Sequence, residues 1–307
     1  MSSVTILAEN ISKTFRTGWS NKSNIAIADL SFSVSNGTVV GLLGPNGAGK
    51  STTINALLGF HFLSSGRISV LGHCPGSPEL LNKIGVVSEI HPILPYHSPI
   101  QQLTFLGGLS YISITQLKAR INFLIERFDL GDCANRPART FSKGMIQRLG
   151  FAQALLHDPE ILILAEPTTG VDPSGRQLVA KIIQEEKLNG KTILFSTHIL
   201  SDVEKLCDEV IILSKGKLSY SGHLRSSEDS WEVTFKGSPE VSLQPFAKWQ
   251  PIFNSNLDVY TARNLSVVQK SELINNLVGS KIEITAVRQN RGALEDLFAS
   301  VTEEKKQ

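Results

Sequence analysis

Short apolar runs alternate with amphipathic segments over the first ~225 residues of the chain. Val39–Leu43, Ile161–Leu164 and Thr192–Phe195 are almost wholly apolar and no longer than a strand. Such runs are typical of strands buried on both faces of a largely parallel sheet, with helices packed against it. The pattern therefore predicts an α/β domain.

Two segments interrupt or end this alternation. From Pro99 to His157 helical spacing dominates, with a turn predicted at Asn135–Pro137, which indicates a helical subdomain over about residues 98–158. After a strand predicted at Val210–Leu213 and a turn at Lys215–Gly216, the polar run Ser226–Ser230 indicates a boundary. We therefore predict one domain over residues 1–226 and a second over residues 230–307.

The second domain is predicted to be a small α/β unit. Its strand candidates are separated by helices and lie at Trp231–Phe235, Val259–Ala262 and Lys281–Val287. A last amphipathic helix is predicted because apolar residues recur at helical spacing, at Leu294, Leu297, Phe298 and Val301.

Composition and charge exclude several classes of protein. Hydrophobic residues make up 41% of the 307 and charged residues 19%, as in an ordinary globular chain. The net charge of +2, without a Lys/Arg run, argues against a nucleic-acid partner. Three widely spaced cysteines without a CxxC pair indicate a reducing compartment and no metal site built on them.

The chain also has no pattern of its own for entering a membrane. Its N-terminus lacks the basic and apolar regions of a secretory signal. No run approaches the ~20 apolar residues that a membrane-spanning helix needs. Any role at a membrane would therefore depend on a partner.

A glycine-rich loop follows the strand predicted at Val39–Leu43. Residues 44–51 fit the phosphate-loop pattern, and a helix is predicted at Lys50–Leu58. Glycines let successive backbone N–H groups point at phosphate oxygens, and the helix adds its positive end. Lys50 is then placed to reach the β- and γ-phosphates, and Ser51 to ligate Mg²⁺. The predicted nucleotide-binding residues here are Gly44, Pro45, Asn46, Gly47, Ala48, Gly49, Lys50, Ser51 and Thr52.

Four more motifs follow this loop in order. They are FSKGM at 141–145, ILILAEP at 161–167, GVDP at 170–173 and FSTH at 195–198. With GPNGAGKST they resemble the nucleotide-binding domain of ABC transporters over about residues 4–222. The resemblance implies a P-loop NTPase core with an ABC-type helical subdomain and an antiparallel β subdomain, which binds and hydrolyses ATP.

The segment Ser142–Met145 resembles the family's signature motif, most often Ser-Gly-Gly-Gln. Ser142 and Gly144 match it, whereas Lys143 and Met145 depart from it. The resemblance implies that Ser142 and Gly144 contact the γ-phosphate held by a second, opposing subunit, and helix-start N–H groups do form anion sites. The alternative is that Ser142 is a plain N-cap of the following helix.

Glu166 resembles the family's catalytic base, which orients and activates water. A carboxylate just past a buried strand suits that role, and an ordinary solvated strand-end Glu is the alternative. Family members usually carry an Asp where this chain has Ala165. Because that Asp normally helps hold the Mg²⁺ shell, Ala165 puts the metal affinity in question.

Glu89 stands where the family usually has a Gln, after a strand predicted at Ile84–Val87. By resemblance, that position touches Mg²⁺ and couples to the membrane subunit. One carboxylate is lost at 165 and one is gained at 89. We hypothesise that negative charge near the metal has moved rather than vanished, because Mg²⁺ prefers hard oxygen ligands. The alternative is two unrelated changes and weakened catalysis. An unchanged Mg²⁺ dependence of ATP binding in Glu89→Gln would contradict compensation.

Three more residues take roles from the resemblance. Asp172 lies in a segment that crosses to the other subunit, and it also suits an N-cap before Pro173. His198 resembles the switch histidine that contacts the γ-phosphate, with a structural strand-end His as the alternative. Phe15 is a candidate to stack on adenine, against Trp19 or an ordinary core role for Phe15.

The resemblance also implies an assembly. Two ATP-binding subunits, identical or different, would meet head to tail and sandwich two ATP molecules, beside an integral membrane permease. The protein would then be cytoplasmic and peripheral on the inner face of the cell membrane. The segment Arg291–Phe298 resembles the end of an accessory domain in bacterial multidrug-type and gliding-motility-type ABC ATPases. This favours an exporter with separate membrane chains.

Two other functions are weighed against this one. Ala165 supports a catalytically weak, regulatory ATP-binding subunit, whereas Glu166 and His198 oppose it. A soluble ABC protein of DNA repair or translation would carry a long coiled-coil insert or a second ATPase domain, and neither is found in the sequence. The low net charge also opposes a nucleic-acid partner.

Overall fold

In the computed structural model of the protein, residues 3–17, 22–110, 112–224, 231–236, 244–254, 257–289 and 298 are described. The chain divides into two units, Met1–His223 and Leu224–Gln307. Among the described residues, no helix combines the length and the apolar character needed to cross a membrane.

The described part of the first unit alternates strands and helices. Its strands are β1 (Val4–Thr17), β2 (Lys22–Ser35), β3 (Val39–Leu43), β4 (Ser65–Val70), β5 (Ile84–Val87), β6 (Ile161–Ala165), β7 (Thr192–Thr197), β8 (Glu209–Ser214) and β9 (Lys217–His223). Its helices are α1 (Lys50–Leu57), α2 (Pro78–Leu81), α3 (Pro99–Leu109), α4 (Ile114–Arg127), α5 (Lys143–Ala154), α6 (Pro173–Leu188) and α7 (Leu200–Leu206).

A six-stranded sheet forms the centre of this unit, in the order β5-β6-β7-β3-β8-β9. All neighbours are parallel except the edge pair β8 and β9. Every residue of β3 and β7 is buried, because both faces of the sheet are covered. Val39 and Phe195 face one apolar cluster, whereas Val40 and Leu194 face another, as alternation along a strand requires. The predicted α/β fold is confirmed.

Parallel pairing decides where the functional segments meet. Strands β6, β7 and β3 are adjacent, so the residues that follow them emerge at one edge of the sheet. Ligand sites in such sheets lie at the carboxyl ends of the strands. Residues 44–49, Glu166 and His198 all stand at this edge.

A second sheet, in the order β2-β1-β4, is antiparallel. It contributes Ile6, Ile11 and Ile27 to the cluster that also holds Val40. The apolar pattern did not indicate β1 and β2 as strands; only the family resemblance implied such a subdomain. Register shifts along β1, with left-handed backbone at Asn10, interrupt the period-two alternation by which strands are recognised.

The predicted helical subdomain comprises α3, α4 and α5. Ser98 and Ser113 cap the first two helices, accepting hydrogen bonds from the backbone N–H groups of Gln101 and Gln116. The turn predicted at Asn135–Pro137 lies between two short 3₁₀ segments.

The second unit is built on a separate antiparallel sheet. Its elements are β10 (Trp231–Lys236), a 3₁₀ segment (Gln244–Trp249), β11 (Ile252–Asn254), β12 (Val259–Leu265), α8 (Val267–Gly279) and β13 (Ile284–Gln289). The sheet order is β11-β12-β10-β13. Phe235, Phe246 and Leu273 pack in its apolar core.

One boundary prediction in this unit is wrong. The strand predicted to begin at Lys281 begins at Ile284. Lys281 has a left-handed backbone, and the N–H of Ile282 donates to the carbonyl of Leu277, so these residues close helix α8. The boundary run 226–230, the segment 291–297 and the last predicted helix, apart from Phe298, lie outside the described residues and stay predictions.

Candidate functional site

The phosphate loop connects β3 to α1 by backbone turns that need glycine. Gly49 has a φ of +103°, and a side chain there would approach the carbonyl oxygen of Ala26 to 2.7 Å. A side chain at Gly44 would meet the Leu213 carbonyl. The loop therefore lies close against neighbouring backbone, with only glycine fitting at these positions.

The start of α1 is left open for an anion. Its N-cap, Gly49, has no side chain to accept a hydrogen bond from the first turn, and that turn contains no acidic residue. The first N–H groups of a helix have no partner within it and attract negative charge. This end of the helix can thus hold phosphate oxygens.

Lys50 is buried, with its residue only 6% exposed. Its ammonium donates to the carbonyl oxygen of Gly44 at 2.7 Å and lies 3.4 Å from that of Pro45. It also forms an ion pair with Glu166 at 3.5 Å. The cation is thus held over the loop by two carbonyls and one carboxylate.

Glu166 is fixed by its backbone as well as by its side chain. Its φ is +49°, a left-handed conformation that costs a residue with a Cβ about 1–2 kcal/mol. Its N–H donates to the Ser196 carbonyl at 3.1 Å, and its carbonyl accepts from the Thr169 N–H at 3.1 Å. Strained backbone held in this way is common where a side chain must be aimed.

The Glu166 carboxylate joins three side chains. Besides Lys50, it accepts a hydrogen bond from the Thr169 hydroxyl at 2.9 Å and lies 2.9 Å from Nδ1 of His198. The carboxylate is 12% exposed, whereas the His198 side chain is 45% exposed. The groups predicted as phosphate ligand, base and switch therefore meet at one point. Thr169 was not predicted, since the pair Thr168–Thr169 after Pro167 carries no sequence signal for a site.

A cleft of about 410 Å³ opens over this point. Phe15 lines it; its ring and that of His61 lie nearly perpendicular with centroids 5.2 Å apart, and the Lys13 ammonium lies over the Phe15 face. Trp19, the competing aromatic residue, lies outside the described residues. The complete lining is Phe15, Asn24, Ile25, Ala26, Pro45, Asn46, Gly47, Ala48, Gly49, Lys50, Ser51, Thr52, Glu89, Glu166, Thr169 and His198. Residues 24–26 were not predicted as part of the site; they reach the cleft because β2 pairs with β1.

Ser142, Gly144 and Asp172 line a different cavity, of about 510 Å³. Ser142 is the N-cap of α5, and its hydroxyl accepts from the Met145 N–H at 3.3 Å. Asp172 is the N-cap of α6 and accepts from the Gly175 N–H at 2.7 Å. The hydrogen bonds from the Gly175 N–H and from the Ser174 hydroxyl lower the pKa of Asp172. Within one chain, these residues do not line the cleft that the phosphate loop borders.

Comparison with known proteins shows the family of the chain. The ABC transporter family model matches residues 27–169. The ABC transporter ATP-binding protein sll0415 of Synechocystis is 36% identical over 294 residues, covering 94% of this chain and 82% of that protein. The chain belongs to the ABC transporter ATP-binding proteins.

Two further proteins are similar to this chain. The Nod factor export ATP-binding protein I of Rhizobium johnstonii is 40% identical over 195 residues, 63% of each chain. The dimeric ATP-binding cassette MJ0796, in a post-hydrolysis state with ADP and Pi, superposes with a TM-score of 0.65 at 22% identity. It covers 72% of this chain and 99% of that one, and shows the shared fold.

As an ABC ATPase, the protein binds and hydrolyses ATP. The side-chain oxygens beside the phosphate loop are of the kind that Mg²⁺ prefers as ligands. The Ser51 hydroxyl and the Glu89 carboxylate are exposed in the cleft, and Mg²⁺ is commonly held by one or two protein oxygens together with substrate phosphates. Ala165 packs against the core and offers no donor. No group of three His, Cys, Asp or Glu side chains suited to a metal occurs among the described residues.

Proposed function

We propose that this ABC ATPase powers an exporter, as one of two ATP-binding subunits that close head to tail on two ATP molecules. The observation that carries the pairing is the separation of its two predicted phosphate-contacting surfaces. Lys50 and Ser51 line one cleft, whereas Ser142 and Gly144 line another cavity. A second subunit is needed for both surfaces to face one nucleotide.

The contacts of the Glu166 carboxylate with Lys50, Thr169 and His198 support a working hydrolytic site. An incoming γ-phosphate competes with Glu166 for Lys50 and for His198, because both bind oxygen anions. Once released from these partners, Glu166 keeps the hydrogen bond from Thr169 to Oε2, and Oε1, the oxygen that faced Lys50, becomes free. That oxygen is then placed to accept a proton from the attacking water, as a general base does. Lys50 and the amides of the phosphate loop stabilise the charge on the transferred group.

The proposed metal ligands are Ser51 and Glu89. When bound there, Mg²⁺ would neutralise charge on the β- and γ-phosphate oxygens. Glu89 is exposed within the same cleft as Ser51 and Glu166, which supports a carboxylate at 89 compensating for Ala165. The test is the Mg²⁺ concentration at half-maximal ATP binding: we expect Glu89→Gln to raise it and Ala165→Asp, in the same background, to restore it.

The membrane partner is proposed as a separate permease. Four large apolar side chains within residues 90–109 are more than half exposed, namely Ile90, Tyr96, Phe105 and Leu109. Such side chains are typical of interaction surfaces. The relative named for Nod factor export supports an export direction. The protein would then lie at the cytoplasmic face of the membrane.

This partner can be captured directly. A photo-crosslinking residue at position 96, in the full chain expressed in its source cells, is expected to form an adduct with an integral membrane protein. Leu188, 87% exposed at the end of α6, is the matched control position. An equal yield of the adduct from both positions would contradict the proposed surface.

A second candidate function is a regulatory subunit that binds ATP but turns over slowly, favoured by the lack of a donor at Ala165. The deciding experiment is Mg²⁺-dependent phosphate release by the unmodified chain, Glu166→Gln and Ala165→Asp. Glu185→Gln, at a surface carboxylate paired with Arg127, is the control. Turnover that Glu166→Gln abolishes and Glu185→Gln preserves supports the ATPase. A silent chain that Ala165→Asp activates supports the regulatory subunit.

A further inference from the structure

Lys143 occupies the first helical position of α5, directly after the N-cap Ser142. A cation near a helix N-terminus is unfavourable by about 0.3–1 kcal/mol, because the helix dipole is positive there. Lys143 is also a residue at which the signature segment Ser142–Met145 departs from the usual family sequence. Neither the phosphate loop nor the N-cap gives this lysine a role, so its side-chain position requires its own explanation.

The side chain reaches back into its own subunit. Its ammonium fills the space over Gly170 that a side chain at that position would occupy. Gly170 itself has a φ of +67°. With His91, the side chain also lines a small cavity beside Gly170 and Glu166. Lys143 is thus placed between two loops, one following β5 and the other following β6.

These two loops flank the hydrolytic carboxylate. A small cavity of about 40 Å³ is lined by Glu89, His91 and Glu166, together with Lys143 and Thr169. Lys143 also lines the larger cavity that contains Ser142 and Asp172. Among the charged side chains bordering these two cavities, Lys143 is the one common to both.

We propose that Lys143 is a positioning residue that holds the loop Pro167–Asp172 in place beside Glu166. Through it, the start of α5, which faces the partner's nucleotide, is linked to the hydrolytic site of the same chain. This inference rests on the proposed pairing of two ATPase subunits. It assigns to Lys143 an action through Gly170 and the neighbouring backbone, not a contact with the reacting phosphate.

The charges around the ammonium support this placement. Glu89 and Glu166 border the same small cavity as Lys143. Lys143 forms no ion pair within the described part of the chain. No single carboxylate therefore sets the position of the ammonium, although opposite charges that border one small cavity attract each other without forming an ion pair. Since the residue is exposed, we expect little effect on overall stability and a larger effect on the geometry of the loop.

The first test needs no turnover. Hydrogen exchange of the amides of residues 168–172 is compared in the full nucleotide-free chain, in Lys143→Met and in Lys181→Met. Lys181 is a helical surface lysine with a 73% exposed side chain. We expect exchange in this loop to be about tenfold faster in Lys143→Met alone. Equal exchange in all three proteins would overturn the proposal, whatever the ATPase measurements show.

The second test is a double-mutant cycle read in kcat. Gly170→Ala places a methyl group where the Lys143 ammonium lies, so it is expected to lower kcat by about tenfold. In the Lys143→Ala background that space is free, and we expect a loss of only about twofold, leaving a coupling of about fivefold. Gly190→Ala is the control, because Gly190 has the same left-handed backbone with open space around it.

The outcomes separate this inference from the proposed function. A coupling in kcat with unchanged ATP affinity supports positioning by Lys143. Independent effects of the two substitutions overturn it, as does a raised KM with unchanged kcat, which would indicate a phosphate contact. An unmodified chain without turnover would contradict the ATPase, and the exchange measurement would still decide whether Lys143 holds the loop.

Discussion

Glu166→Gln is the substitution for which the structure predicts opposite effects on binding and catalysis. The Lys50 ammonium and the Glu166 carboxylate are 3.5 Å apart, with side chains 7% and 12% exposed. At an effective dielectric constant of ~20, two unit charges at that distance attract by about 5 kcal/mol. Most of this is offset by the cost of removing both ions from water.

The loss of unfolding free energy in Glu166→Gln is expected to be smaller than for a buried ion pair whose members have no other partners. Lys50 keeps the carbonyl oxygens of Gly44 and Pro45, and the amide that replaces the Glu166 carboxylate would keep an oxygen for Thr169. We expect the nucleotide-free chain to lose about 1–2 kcal/mol of unfolding free energy. Because the γ-phosphate must displace Glu166 from Lys50, the same energy should reappear as ATP affinity, tighter by about 5–30-fold.

The assay is the dissociation constant for ATP in the presence of a chelator, so that hydrolysis does not interfere, together with urea unfolding of the same proteins. Thr169→Val is the matched control, since it removes a hydrogen bond to Glu166 and leaves the charge. It should not tighten ATP binding. Unchanged or weaker ATP binding by Glu166→Gln would refute the view that Glu166 and the γ-phosphate compete for Lys50.

Three further outcomes are expected. Gly49→Ala should abolish ATP binding measured by calorimetry, because its methyl group meets the Ala26 carbonyl, whereas Gly47→Ala, with open space, should bind within about tenfold of the unmodified chain. Ser142→Ala should lower the unfolding free energy in urea by about 1 kcal/mol through loss of the N-cap; no loss would mean that the cap is not formed in solution. Burial lowers the pKa of His157, beside the Ile84 carbonyl. As the pH drops below the unfolded pKa of ~6.5, the unfolded chain binds more protons than the folded chain, so the free energy of unfolding decreases. Urea unfolding at pH 7 and pH 5 should show this fall, and His157→Asn should reduce it.

Local spacing was sufficient for much of the fold. The central strands were predicted within one or two residues, because strands buried on both faces are continuous apolar runs. The antiparallel strands β1 and β2 were not, since their alternation is broken by register shifts and by left-handed residues. The start of β13 was displaced from Lys281 to Ile284 because the end of α8 takes up the intervening residues.

In the candidate site, too, some residues could be predicted from local spacing and others could not. The phosphate loop is one contiguous segment whose strand, turn and helix are fixed by residues next to each other, so its glycines, Lys50 and Ser51 could be predicted from spacing. Thr169 and residues 24–26 could not, because they reach the cleft only through the turn after β6 and the pairing of β2 with β1.

By itself, the sequence determined the phosphate loop, the order of the motifs and the family to which they belong. Only the tertiary structure decided that Glu166 meets Lys50 and His198, that Ser142 and Asp172 line a separate cavity, and that Lys143 turns toward Gly170. The physical reason is that these contacts depend on the order of strands in the sheet and on the direction of side chains. Both are set by packing between distant segments, which the periodicity of a single chain does not encode.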